Sequence, residues 1–326
     1  MRTPMSKTFS HPGQHLFIGF AGRDLDTSAR RLLNTIQPGG VVLFARNVGA
    51  AGELRRLGRA LRDVLPYRPL IAMDLESGRV NRLREVVGEF PTIAELKRDG
   101  SSEKAEDFGR TLGHWLHQFC VDIDFAPVFD LESFDETTDN SLRERCWGKT
   151  ADEVIQWAGA FIEGLEREGI ASCPKHFPGL GGATLDSHEK LPVIARTREE
   201  LWRDDLLPYR HFRRRLTTLM VGHGQYPALD DKPASLSHAV ITGLLRGQLG
   251  FDGLVLTDDL EMGAIKSFES AVVEAIEAGA DMVLVCHTPE KALAAHEALL
   301  RIPAERLAES QRRIQQFRDQ WIGHKV

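Results

Sequence analysis

Residues 170–188 read Ile170-Ala171-Ser172-Cys173-Pro174-Lys175-His176-Phe177-Pro178-Gly179-Leu180-Gly181-Gly182-Ala183-Thr184-Leu185-Asp186-Ser187-His188. A short apolar run stops abruptly, and a glycine-rich loop then gathers a lysine, two histidines and an aspartate. Seven other runs share the first half of this pattern: Leu16–Phe20, Gly40–Phe44, Pro69–Met73, Val121–Phe125, Thr218–Val221, Leu254–Thr257 and Asp281–Cys286. With Ile170–Cys173 they make eight strand candidates. Most are continuous rather than alternating in hydrophobicity, as expected of parallel strands buried on both faces.

Helix signals fill the gaps between them. Thr150-Ala151-Asp152-Glu153 and Thr197-Arg198-Glu199-Glu200 read as capping boxes. Gly169 stops the helix that follows Thr150, and Thr288-Pro289 places a cap before proline at a first helical position. Eight strands alternating with helices, with no linker or composition break, most simply close as a single-domain (β/α)8 barrel. A doubly wound open sheet is the alternative. The first strand, however, ends Phe20-Ala21-Gly22-Arg23-Asp24 and lacks the GxGxxG turn expected of one. Residues 1–12 read as a flexible N-terminal arm, and residues 303–326 contain a C-terminal helix, Pro303 to Trp321, that closes the outer layer.

Composition narrows the function. The chain has 326 residues, 42% hydrophobic and 27% charged, as in a soluble globular protein. No run reaches the roughly eighteen apolar residues of a membrane span, and the N-terminus has no apolar signal-peptide core. A net charge of −6 with no basic block argues against nucleic acid as partner. The four cysteines lack CxxC spacing and read as reduced, which fits the cytoplasm. No ligand cluster, phosphate loop or dinucleotide fingerprint implies a metal or organic cofactor.

In a barrel, functional residues follow the strands at the C-terminal face. Strand three ends in Asp74-Leu75-Glu76-Ser77-Gly78-Arg79-Val80-Asn81-Arg82. Strand four ends near Asp124, with Asp130 and a loop carrying Asn140 and Arg145 behind it. Lys175 and His176 follow strand five, His223 strand six, Asp258 and Asp259 strand seven, and His287 strand eight. An Asp or Lys after one strand is often a cap or a solvated loop residue. Charge at six strand ends points to a site. Strand alternation implies that Asp258 and Asp259 do not both face the barrel mouth.

These segments resemble the glycoside hydrolase family 3 β-N-acetylglucosaminidases, which carry K-H-F-P-G-H-G-x(4)-D-S-H, [ST]-D-D-L-x-M, D-x-E-G-G-R-V-x-R and R-S-F-G. The resemblance implies a retaining exo-β-N-acetylglucosaminidase with Asp258 as nucleophile and His188 as acid/base, backed by Asp186. It implies sugar contacts from Asp74, Arg82, Arg145, Lys175 and His176, and a cytoplasmic role on small N-acetylglucosaminyl-anhydromuramoyl peptides from wall turnover. A carboxylate beside an imidazole suits it to give and take a proton near working pH. No obligate protein partner is implied. The chain departs from the pattern at Leu75, Ser77, Cys146 and Trp147, and at Leu180, where the family usually has His. If the backbone at Ser77 requires φ > 0, serine there is strained.

Other readings remain open at this point. Asp74 and Arg82 also fit a rim ion pair, and Asp-Ser-His also fits a plain turn. A Schiff-base aldolase would use Lys175. A non-catalytic sugar-binding barrel would keep Asp74 and Arg82. A phosphorylase or a family 3 glucosidase or xylosidase would share most of the motif. Were His188 structural, Glu76, Asp124 or His223 would have to supply the proton.

Overall fold

The computed structural model of the protein describes residues 11–133, 141–182 and 191–322. Its eight parallel strands are β1 (Leu16–Ile18), β2 (Gly40–Leu43), β3 (Leu70–Met73), β4 (Ile123–Asp124), β5 (Ala171–Ser172), β6 (Thr218–Val221), β7 (Leu254–Asp259) and β8 (Met282–Val285). All eight fall on the runs expected from sequence. Hydrogen bonding runs in the order β5-β4-β3-β2-β1-β8-β7-β6. The β5–β6 seam is closed by the segment after β5. Met220 N donates to Pro174 O at 3.0 Å, Phe177 N to Met220 O at 2.9 Å and Gly222 N to Phe177 O at 3.0 Å. The Lys-His loop is therefore itself the last stave of the barrel.

Side chains alternate along each strand. Phe17, Val42, Leu70, Ala72, Ile123, Ala171, Cys173, Met220, Leu254, Leu256, Met282 and Leu284 share one buried cluster inside the barrel. Their neighbours Ile18, Val41, Ile71, Leu219, Val255 and Val283 pack outward with the helices. Counting upward on the inward phase gives 70-72-74, 171-173-175 and 254-256-258. Asp74, Lys175 and Asp258 are the next inward positions above two apolar layers.

Two local details differ from the sequence reading. The helix Ala304–Trp321 does not join the outer ring. Ile314 and Phe317 pack into the barrel-interior cluster, Trp321 Nε1 donates to Thr217 Oγ1 at 3.0 Å, and Arg313 pairs with Asp281 at 3.3 Å. Thr217 and Asp281 immediately precede β6 and β8, so the helix plugs the N-terminal end of the barrel. An amphipathic stripe shows that a helix docks, but not on which surface. At the Asp74 loop the positive φ belongs to Gly78 (52°), not Ser77, so serine carries no backbone strain there.

Candidate active site

The C-terminal mouth holds a cavity of about 600 Å³ whose wall includes Asp74, Glu76, Arg82, Arg145, Lys175, His176, Asp258 and Asp259. Five charged side chains form its floor. Lys175 Nζ lies 2.7 Å from Asp74 Oδ1 and 2.8 Å from Glu76 Oε1. Arg145 grips Glu76 in a bidentate pair, Nε to Oε2 and Nη2 to Oε1, both at 2.8 Å. Arg82 approaches Asp74 Oδ2 more loosely, at 3.6 Å, and its buried Nε has no hydrogen-bond partner among the described residues. Loosely held guanidinium donors over a carboxylate suit the hydroxyl edge of a sugar.

Charge fixes the protonation of this floor. Burial pushes the Asp74 and Glu76 carboxyls up, but Lys175 with Arg82, and Arg145 with Lys175, outweigh it and hold both below the usual carboxylate range. Burial works against the charged forms of Lys175 and Arg145 as well, yet their carboxylate partners hold both above their ordinary values. A Schiff-base nucleophile must be a free amine. Lys175, clamped as an ammonium between two carboxylates, does not meet that requirement.

Both Asp258 and Asp259 line the cavity, against the expectation that only one would. The register explains it. Met282 pairs with Leu256 but Leu284 pairs with Asp259, so β7 carries one residue more than β8 across this interval. Such a bulge breaks strict alternation and re-aims side chains. The two carboxylates still differ. Asp259 lies 3.2 Å from His287 Nε2, and this contact raises the pKa of the imidazole. Asp258 accepts a hydrogen bond from the Asp259 N–H at 2.8 Å and has no ion-pair partner among the described residues. Burial pushes its carboxyl up, but His176, His223 and the Asp259 N–H prevail, with a smaller contribution from Lys175, and it sits below its ordinary value. These surroundings favour its ionised form.

The Lys175–His176 peptide is cis, and both side chains reach the cavity wall. Gly179, at φ 137°, sits where an added Cβ would come within 2.9 Å of Asp205. The glycine of the K-H-F-P-G stretch thus answers to both backbone and space. Leu180, the departure from the family pattern, is buried and gives the mouth an apolar patch.

Three residues held in reserve as proton donors do other work. Glu76 is committed to Arg145 and Lys175. Asp124 is fully buried, accepts the Leu75 N–H at 2.9 Å and is pushed well up by burial. His223 is also fully buried, with Ser235 Oγ 2.7 Å from Nδ1 and Asp259 O 2.9 Å from Nε2. It buttresses the β7 bulge instead of facing the mouth. Asp186 and His188 lie outside the described residues. Among the described residues no cluster of three His, Cys, Asp or Glu side chains has the arrangement of a metal site.

A model of the glycosyl hydrolase family 3 N-terminal domain matches residues 13–317. The chain belongs to glycoside hydrolase family 3. It is 36% identical over 299 residues to a Pseudomonas aeruginosa protein named Beta-hexosaminidase, spanning 90% of this chain and 89% of that one. Its fold is similar to that of NagZ from Neisseria gonorrhoeae, solved in complex with N-trifluoroacetyl-D-glucosamine, with TM-score 0.84 and 30% identity over 97% of this chain and 92% of that one. A family 3 β-N-acetylglucosaminidase from Paenibacillus sp. str. FPU-7 gives TM-score 0.89 and 34% identity over 95% of this chain. The present chain spans 61% of that longer protein. The family 3 barrel is a glycoside hydrolase.

Proposed function

We propose that this family 3 enzyme is a retaining exo-β-N-acetylglucosaminidase that forms a covalent glycosyl-Asp258 intermediate. The observation that carries the proposal is the state of Asp258. Of the four carboxylates on the cavity wall, Asp74 and Glu76 are paired with cations, and Asp259 faces His287 at 3.2 Å. Asp258 alone has no ion-pair partner among the described residues, and it is held ionised by its surroundings. Asp74, Arg82, Arg145, Lys175 and His176 bind the sugar. Asp258 attacks the anomeric carbon while an acid protonates the departing oxygen, and water then releases the sugar from the ester.

That acid is His188, with Asp186 orienting it. Among the described residues the wall offers no uncommitted second carboxyl, since Glu76 is tied to Arg145 and Lys175 and Asp259 faces His287 at 3.2 Å. An imidazole serves as donor in the first step and as base in the second. A terminal β-linked N-acetylhexosamine as substrate is supported by the β-hexosaminidase relatives, and small wall-turnover fragments are the source this reading assigns to it. A cytoplasmic setting accords with four free cysteines and with the lack, among the described residues, of any helix able to cross a membrane.

A panel of aryl β-glycosides bearing GlcNAc, GalNAc, glucose and xylose tests the specificity. Preference for GlcNAc is expected, whereas preference for glucose or xylose rejects it. His188→Ala should lose far more activity on a disaccharide, which needs its leaving group protonated, than on a dinitrophenyl glycoside, which does not. Azide, a nucleophile that needs no base, should restore turnover of the activated substrate and yield a β-glycosyl azide. Equal losses on both substrates, with no azide effect, would make His188 a structural residue.

A further inference from the structure

The segment after β3 folds back on itself, and its tip carries a cation that the chemistry proposed above does not use. Glu76 N donates to Val80 O at 2.9 Å and Val80 N to Ser77 O at 3.3 Å, and Leu75 bridges Asn81 as an antiparallel pair. Gly78, at φ 52°, takes the left-handed position of the turn. Asp74 and Arg82 flank this small hairpin at its base, and Arg79 is at its tip. Glu76 is buried in the floor, whereas Arg79 is exposed and still lines the cavity. Arg79 therefore stands at the rim, above the residues that hold the sugar.

A shared carbonyl fixes its position. Arg79 Nη2 donates to Ser141 O at 2.5 Å, and Arg145 Nη1 donates to the same oxygen at 3.2 Å. The two lone pairs of a carbonyl can serve both. The two guanidiniums are thus neighbours, yet only one is neutralised. Arg145 pairs with Glu76, Lys175 with Asp74 and Glu76, and Arg82 faces Asp74 at 3.6 Å. Arg79 has no carboxylate within ion-pair distance among the described residues, and Ser141 O is its one hydrogen-bond partner there. Its Nε and Nη1 are left to the mouth.

We propose that Arg79 determines specificity by recognising a carboxylate on the leaving group, so that the enzyme prefers an acidic aglycone to a neutral one of the same shape. On the exo-β-N-acetylglucosaminidase reading, on which this rests, one neutral sugar fills the floor and brings no counter-charge. The group bonded to that sugar stays at the mouth, where Arg79 stands. A guanidinium anchored through one nitrogen, with its other donors free, offers a fork already held in place, and a planar carboxylate fits it. Because the contact lies at an exposed rim, salt weakens it.

Two substrates of nearly one shape test it: GlcNAc β-linked to N-acetylmuramic acid, whose lactyl group carries a carboxylate, and the methyl ester of that disaccharide. Cleavage of the ester by the unmodified enzyme secures the hydrolase reading without the charge. If neither compound is cleaved, that reading fails and takes the inference with it. At low salt the acid should exceed the ester in kcat/KM by about tenfold or more, the scale of a hydrogen bond to a charged group, and the advantage should shrink as salt is raised. Arg79→Gln should bring the acid down to the level of the ester. Arg79→Lys keeps the charge without the fork and should retain part of the advantage. Equal rates for acid and ester in the unmodified enzyme overturn the inference and leave the hydrolase standing. So does an advantage that survives Arg79→Gln, including one that survives because both substrates slow alike.

Discussion

Asp258→Asn abolishes hydrolysis while the protein still folds. The loss in kcat should reach roughly 10⁴-fold or more, the scale seen when a residue of a covalent catalytic unit is removed. The magnitude follows from what the site lacks. Asp74 and Glu76 are held by cations and Asp259 is engaged by His287, so no neighbouring carboxylate among the described residues is free to take over the attack. Asn is nearly isosteric, and its side-chain oxygen can still accept the Asp259 N–H that Asp258 accepts at 2.8 Å. The carboxyl sits below its ordinary value in the fold, so its ionised form is favoured there and Asn forgoes that contribution. The melting temperature should stay level or fall slightly, well short of unfolding the protein at assay temperature. Thermal unfolding beside a steady-state assay checks both halves.

Asp74→Ala carries the second-largest expected effect, about 3–5 kcal/mol in transition-state stabilisation, read as kcat/KM. Asp74 contacts Lys175 at 2.7 Å and lies 3.6 Å from Arg82. Its removal takes two charge-assisted acceptors from the sugar and also leaves Arg82 without its carboxylate. Lys175 keeps Glu76 at 2.8 Å, so the floor should not collapse. A variant with near-normal kcat/KM would show that Asp74 is a rim ion-pair partner and that the sugar is held elsewhere.

The sequence exposed most of the barrel because most strands are continuous apolar runs and six of them are followed by charged residues. Once the inward phase of a strand is known, Asp74, Lys175 and Asp258 follow by counting in twos. Features that depend on a second strand did not follow. The bulge that brings Asp259 to the cavity beside Asp258 exists only in the register between β7 and β8, and no single-strand pattern encodes it. Glu76 was visible in its loop, but its double commitment to Arg145 and Lys175 arises from three segments meeting. Asp130 follows an apolar stretch, Phe125-Ala126-Pro127-Val128-Phe129, that reads as strand overrun. Its contact with His176 Nδ1, at 2.7 Å, requires knowing that residues 127–130 run beside the loop after β5. The C-terminal helix shows the same limit, since its apolar stripe fits the barrel end as well as it fits the outer ring.

The departures from the family motifs sort by position. Ser77 is harmless to the backbone because the left-handed residue is its neighbour Gly78. Cys146 is buried, and its Sγ reaches Leu142 O at 3.7 Å, a local packing contact. Leu180 alone changes the cavity wall, replacing an imidazole with an apolar surface at the mouth, on the side held by Asp130, which accepts the Leu180 N–H. It therefore bears on which aglycone enters more than on bond cleavage.

The central claim is that Asp258 becomes covalently bound to the sugar. Incubation with an activated 2-deoxy-2-fluoro glycoside, followed by proteolysis and peptide mass mapping, tests it directly. One sugar mass is expected on the peptide containing Asp258, localised by fragmentation to that residue and missing in Asp258→Asn. Label on Asp259 or Glu76 would contradict the account.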